Sequence, residues 1–243
     1  MSYEVPGEAV VDLPIDKAKS WAFTIDDVDA HQSDLNLMSI FADSASEQLK
    51  VTVDADVLNT MIGDAHADNK GQTAGAISGN IDLGAGDADA NIEDIDNAGT
   101  NASPTEFILR MGQALDEQNA PETGRWVVIP AAMAAMLKGD IIREANTMGD
   151  SQSILRNGKI GMIDRFTVYV SNNLPTVTPS AETGTYIYAG VPSACAFASQ
   201  IVKNETLPNP DSFGELMRGL QVYGYKTIKP EGLVEGVVKI GTV

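Results

Sequence analysis

The sequence predicts an α+β fold, and three observations carry that prediction. The longest periodic segment, from about Ser33 to Ala67, reads as a single long helix. The stretch "GRWVVIPAAMAAMLKGD" sets a five-residue strand directly against an Ala/Met-rich helix. The C-terminal third is a run of β-rich segments rather than an alternation of strands and helices, which separates α+β from α/β. No internal repeat is visible.

The elements follow in order. The first 13 residues are extended in character, and "KSWAFTI" then places Trp21, Phe23 and Ile25 on one face of a short strand. The acidic turn "DDVD" offers Asp26 or Asp27 as a helix N-cap. In the long helix, Leu37, Phe41, Ala45, Leu49, Val53, Val57 and Met61 each fall four residues after the last. A helix turns every 3.6 residues, so this stripe winds slowly and is not a 3.5-residue coiled-coil seam. About 30 such residues extend roughly 45 Å. The run "VTVDADV" is also β-prone, which leaves a kink or break near Val51 open.

After Gly63 the composition changes. From Asp64 to Ser103 the chain is mostly Gly, Ala, Asn and Asp, with Lys70 its only basic residue. This segment reads as an insertion or partly mobile surface loop. Residues 104–120 are expected to form an amphipathic helix with Phe107, Ile108, Met111 and Leu115 inward and Pro104 in its first turn. "PETG" turns into the strand "RWVVI", and Pro130 begins the next helix, with "IIREANTMG" a further short one. "RNGKIGMID" is a glycine-punctuated loop before the strand "RFTVYVS". The strands "GTYIYAGV" and "ACAFASQIV" follow, joined near Pro192. Finally, "GLQVYGYKTIKPEG" and "LVEGVVKI" read as an antiparallel pair turning at "KPEG".

A chain of 243 residues with 43% hydrophobic composition is globular, as one large domain or two modest ones. At that size it buries roughly 70–75% of its unfolded surface. No apolar run approaches the roughly 20 residues that span a bilayer, and the N-terminus lacks a signal peptide's pattern, so a cytoplasmic chain is expected. Acidic residues number 34 against 16 basic, a net charge of −18. Nucleic-acid binders cluster Lys and Arg against phosphates, and no such cluster exists here. The lone Cys195 lies in "VPSACAFASQI", the setting of a small buried hydrophobe.

The candidates for chemistry fail one after another. "DADANIED", Asp87–Asp94, matches the D-x-D-x-N opening of a calcium loop. Its sixth position, where glycine makes the sharp turn, is Ile92, and its twelfth, where a bidentate Glu belongs, is Ala98. A solvated acidic loop is the simpler reading. The two histidines, His31 and His66, lie near no G-x-S-x-G elbow, and His66 suits a cation at a helix C-terminus. One Cys and two His 35 residues apart do not make a zinc site. "GAGD", Gly84–Asp87, is a lone glycine pair in an acidic loop that repels phosphate. Asn101-Ala-Ser103 and Asn204-Glu-Thr206 are sequons only in a secretory context. No catalytic, cofactor-binding or metal-binding residue is assigned, and no cofactor is expected.

The order of segments resembles the major capsid protein of tailed bacteriophages, with the Hong Kong ninety-seven-type fold. "WAFTIDDVDAHQSDLNLM" resembles the strand and turn leading into that family's long spine helix. "ALDEQNAPETGRWVVIPAAMAAMLKGD" and "GKIGMIDRFTVYVSNNLP" resemble parts of its axial (A) domain. "SFGELMRGLQVYGYKTIKPEGL" resembles the closing strands of its peripheral (P) domain. The resemblance covers about residues 14–66 and 104–243. It implies a remnant of the extended loop at 1–20, a P domain with spine helix at 21–66 and 198–243, the insertion at 67–103, and an A domain at 104–197. The family's N-terminal arm and most of its extended loop are expected to be absent.

By the same resemblance the function is structural. Pentamers and hexamers of the chain would build an icosahedral phage head around double-stranded DNA, assembled in the host bacterial cytoplasm. Scaffolding, portal and decoration proteins would be further partners, with no specific nucleic-acid binding and no membrane. Three rival readings are an encapsulin-like bacterial compartment shell, an acidic calcium-binding adhesin or surface-layer module, and an unrecognised enzyme.

Overall fold

The computed structural model describes residues 10–27, 32, 36–96, 101–148, 161–210 and 213–241. The chain divides into two compact units, Met1–Lys50 with Ala196–Ile228 and Val51–Cys195 with Lys229–Val243.

In the first unit a three-stranded sheet has the order β1-β9-β8, where β1 is Lys17–Asp26, β8 is Cys195–Pro208 and β9 is Gly214–Thr227. β1 and β9 pair antiparallel over ten residues, from Lys17 opposite Tyr223 to Asp26 opposite Gly214. The period-2 pattern holds: Trp21 and Phe23 are half-buried and Ile25 is buried, while the residues between them are exposed. The Trp21 and Phe23 rings stack at 5.5 Å, and Phe23 meets Phe41 at 5.8 Å. Gly219 lies opposite Trp21, and a Cβ there would come within 2.6 Å of the indole. The sheet therefore needs glycine at the point where tryptophan lies across it.

The long helix is α1, Leu37–Thr60, 24 residues or about 36 Å. It runs unbroken through Val51, so local β-propensity loses to helical context there. Expected from about Ser33, it is described from Leu37, where the Asn36 side chain accepts the Ser39 N–H at 3.4 Å, as an N-cap does. It also ends before Ala67. Gly63 takes the left-handed φ of +81° that terminates helices, and its N–H donates to Glu235 Oε2 at 2.6 Å. Of the expected stripe, Val53 and Met61 are buried, whereas Phe41 is 48% exposed.

The second unit is built on a seven-stranded mixed sheet, order β2-β10-β7-β3-β5-β4 with β6 on β7. Its strands are β2 Glu93–Ile95, β3 Arg125–Ile129, β4 Met162–Ile163, β5 Phe166–Val170, β6 Thr176–Val177, β7 Gly184–Gly190 and β10 Leu233–Ile240. β3 runs parallel to β5, and β10 parallel to β2; β7 is antiparallel to both β3 and β10. Helix α2, Pro104–Glu117, starts from Ser103, whose Oγ accepts the Glu106 N–H at 3.1 Å. Phe107, Ile108, Met111 and Leu115 are fully buried on it, as its periodicity predicts. They join Val127, Ile129, Met133, Phe166 and Val238 in one core, each large side chain contributing about 1.5–3 kcal/mol.

Three expectations are corrected. β9 and β10 do not pair with each other. "KPEG" makes a 3-10 turn at Pro230–Gly232 rather than a hairpin, β9 finds β1, and β10 becomes a buried strand between β7 and β2. α3 runs continuously over Ala131–Met148, so no second helix begins at Ile141. The segment after Gly63 is folded into the core rather than laid on the surface: Ala74, Leu83 and Ile95 are fully buried and Ile81 nearly so. Widely spaced apolar residues suffice there, because left-handed glycines at 71, 75, 79 and 84 turn the chain tightly between them.

Arg125 is the largest fully buried side chain among the described residues. Its Nε donates to the Pro121 carbonyl at 2.9 Å and its Nη2 to the Ala120 carbonyl at 3.0 Å. Asp116 lies 2.7 Å from the same Nη2 and 2.8 Å from Arg165 Nη2. Partial burial pushes the Asp116 carboxyl up, but hydrogen bonds from Arg165 and Arg125 outweigh that and hold it below its usual range. Arg165 itself sits in the two-residue β4–β5 turn, where Asp164 and Arg165 both take positive φ, 42° and 64°. That is a type I′ turn made without the usual glycine.

Candidate functional site

The strand–helix joint at Pro130 lies at the end of β3. The Ala131 N–H donates to Asn172 Oδ1 at 3.2 Å, and the Ser171 N–H to the Ile129 carbonyl at 3.0 Å. Asp54 Oδ2 accepts from Ser171 Oγ at 3.2 Å and from Asn173 Nδ2 at 2.9 Å. Every polar group named here is engaged in holding the next segment in place. The joint is a structural corner.

The other candidates are equally engaged. Asp87 Oδ1 accepts from Asn91 Nδ2 at 2.8 Å, which lowers its carboxyl. Asp89 turns both oxygens to the Ser180 and Ala181 N–H groups at 3.1 Å, and Asp94 lies 3.6 Å from Lys239 Nζ. Asp87, Asp89 and Asp94 thus point to different partners rather than converging on one cation, and Ala98 lies outside the described residues. Among the described residues no group of three or more His, Cys, Asp or Glu side chains is placed to hold a metal ion. Gly84 and Gly86 serve packing. Gly84, at φ +72°, lies against the Val237 carbonyl, and a Cβ on Gly86 would come within 2.8 Å of the Tyr186 hydroxyl.

His31 lies outside the described residues. His66 Nδ1 faces Asp68 Oδ2 at 3.3 Å and the Gln118 amide at 3.4 Å, in the turn after α1 rather than at its last turn. Cys195 opens β8 and is half-buried rather than buried. Ser103 of the first sequon is the cap of α2, and Asn101 donates to Asp96 at 2.8 Å. No helix of the described residues is long and apolar enough to cross a membrane.

The chain is instead distinguished by its surface. In the first unit Ile40, Phe197 and Phe213 are at least half exposed, and in the second Ile77, Met162 and Tyr169 are. Sequence periodicity missed these because it assigns large apolar side chains to the interior. Around Ile77 the backbone is held firmly. Glu117 Oε2 accepts the N–H groups of both Ile77 and Ser78 at 2.9 Å, and its Oε1 accepts from Gln113 at 2.9 Å. Led by the Ser78 N–H, these bonds lower the Glu117 pKa to about 2. A polar recess lies beside β2, where Arg110 Nη1 donates to Glu93 Oε1 at 2.7 Å and Nη2 to Glu106 Oε1 at 2.8 Å. Burial raises the Glu93 carboxyl despite that pairing.

The fold is mixed, the polar candidates are bonded to neighbouring segments, and large apolar side chains stand outside on both units. Comparison with known proteins gives the family. Residues 9–236 match the phage capsid protein family, and the chain belongs to it. A chain from Mycobacterium phage Che8 superposes with a TM-score of 0.65 at 28% identity, over 96% of this chain and 76% of that one. The capsid structure of cyanophage P-SCSP1u gives 0.64 at 18% identity, over 100% and 80%. The virus-like particle from Pyrococcus furiosus gives 0.51 at 12%, over 90% and 75%, a likeness of fold alone. No curated protein matches the sequence. The fold is the Hong Kong ninety-seven-type capsid fold, and the chain is a structural, major capsid protein of bacteriophage type belonging to the virion shell.

Proposed function

We propose that this subunit self-associates through head-to-tail contacts into pentamers and hexamers, which close into an icosahedral head around double-stranded DNA. The observation that carries this reading is the family match over residues 9–236, nearly the whole chain. Heterologous contacts close into rings when their rotation fits, and exposed apolar side chains on both units supply surface for them. The peripheral domain, expected over 21–66 and 198–243, is taken as the unit with β1, β8 and β9, and the axial domain, expected over 104–197, as the seven-stranded unit, which also takes in 67–103 and β10. The chain works without catalysis and without a cofactor, since its output is contact geometry. The net charge of −18 keeps packaged DNA from adhering to the wall. Scaffolding, portal and decoration proteins are the further partners, and assembly takes place in the host bacterial cytoplasm.

The test is direct. The purified chain is concentrated stepwise and examined by negative-stain electron microscopy and analytical ultracentrifugation. Rings or closed shells are expected; monomers at every concentration, with and without a scaffolding partner, would overturn the reading.

A further inference from the structure

We propose that the loop 74–81 is a docking knob, with Ile77 at its tip, that inserts against a second copy of this chain. The inference rests on the assembly reading above. Ile77 is 82% exposed, more than any other aliphatic side chain described in the second unit. The backbone beneath it is closed on itself. Ala74 and Ile81 exchange both backbone hydrogen bonds at 2.9 Å, and the Gly79 N–H donates to the Gly75 carbonyl at 3.0 Å. Gly75, at φ +104°, leaves no room for a Cβ, which would come within 2.8 Å of Glu117 Oε2. Glu117, anchored on α2, takes the N–H groups of Ile77 and Ser78 together. A side chain presented on such a backbone loses little conformational freedom on binding, which is what gives a small contact its strength.

Charge selects the partner. At a net −18, two copies repel over most of their surfaces. The tip is an exception. "GQTAGAISGN", Gly71–Asn80, contains no ionisable side chain, and the carboxylate next to it is turned onto the loop's own N–H groups. Another acidic copy therefore meets Ile77 with little opposing charge: Glu117 beneath it keeps its charge but directs it into three hydrogen bonds.

The experiment places a benzophenone amino acid in place of Ile77 and irradiates particles assembled from the full chain. Cross-links between two copies are expected, with the site of attachment read by mass spectrometry. Ile77→Asp is expected to raise the concentration for half-assembly on the order of tenfold, the loss of one apolar anchor. Glu117→Gln, which leaves Ile77 in place, is expected to raise it less. Shells that form normally from Ile77→Asp, or assembled particles without cross-links between copies, would overturn the knob and leave the assembly reading standing. Failure of the unmodified chain to assemble would overturn the assembly reading, and the knob with it.

Discussion

Glu235 on β10 and Gly63 just after α1 stand 172 residues apart in sequence and 2.6 Å apart in space, the buried carboxylate accepting the backbone N–H. Lys70 Nζ donates to the carbonyl of the same glycine at 2.8 Å, so the exit of the long helix is held at both its donor and its acceptor. Burial raises the Glu235 carboxyl, and the Gly63 hydrogen bond and Lys70 only partly offset it. A carboxyl raised in the folded state costs stability at neutral pH and returns it as pH falls through the folded value. Glu235→Gln keeps an acceptor for Gly63 without the buried charge. It is expected to match or exceed the parent in urea unfolding at pH 7, with the difference shrinking toward pH 4–5. A loss at pH 7 that persists unchanged at acid pH would contradict this account.

Removing Arg125 should be severe. Arg125→Met fills most of its volume but leaves the Ala120 and Pro121 carbonyls without their donor and Asp116 with Arg165 alone. A loss of about 1–3 kcal/mol is expected in chemical unfolding. A change below 1 kcal/mol would mean that the network contributes specificity rather than stability.

The β4–β5 turn separates backbone strain from ion pairing. Arg165→Ala removes the pairs to Asp116 and Glu122 and keeps a Cβ at φ 64°. Arg165→Gly removes the same pairs and relieves the strain. The glycine variant is expected to be the more stable of the two by about 1 kcal/mol, measured by thermal unfolding. Equal stabilities would show that the positive φ carries no cost.

Close packing of β10 on α2 gives a fourth stability test. A Cβ on Gly236 would approach the Phe107 ring to 2.6 Å, and both residues lie within the buried core. Gly236→Ala should cost about 1–3 kcal/mol by overpacking. Gly236→Ala with Phe107→Leu should recover part of that loss, and a double variant no better than the single would rule out the ring as the obstacle.

The Glu117 clamp has a pH signature. Its carboxyl is lowered from 4.5 to about 2, so its contribution is present above the unfolded value and is lost as pH falls through about 2. The amide resonances of Ile77 and Ser78 should therefore titrate with a midpoint near 2, and Glu117→Gln should abolish the titration. A midpoint near 4.5 would mean that the carboxylate does not hold the loop.

Elements whose signal is local were legible in the sequence. Phe107, Ile108, Met111 and Leu115 follow the helical repeat, Ser103 and Pro104 mark its start, and the alternation of Trp21, Phe23 and Ile25 gives a strand with one inward face. Segment order was legible too, and it carried the capsid resemblance. Pairing was not. β9 and β10 are neighbours in sequence and each looks like half of a hairpin, but burial of the apolar β10 between β7 and β2 outweighs proximity. Asp64–Ser103 has too few apolar residues to show a period, so only tertiary packing reveals that Ala74, Leu83 and Ile95 are core. Arg125 in "RWVVI" gives no sign that the end of α2 and the segment after it bring carbonyls and Asp116 to its guanidinium. Helix periodicity and caps are written within a few residues of each other. Partners far apart along the chain are chosen by the exclusion of water from a shared interior, and that choice exists only once the chain has folded.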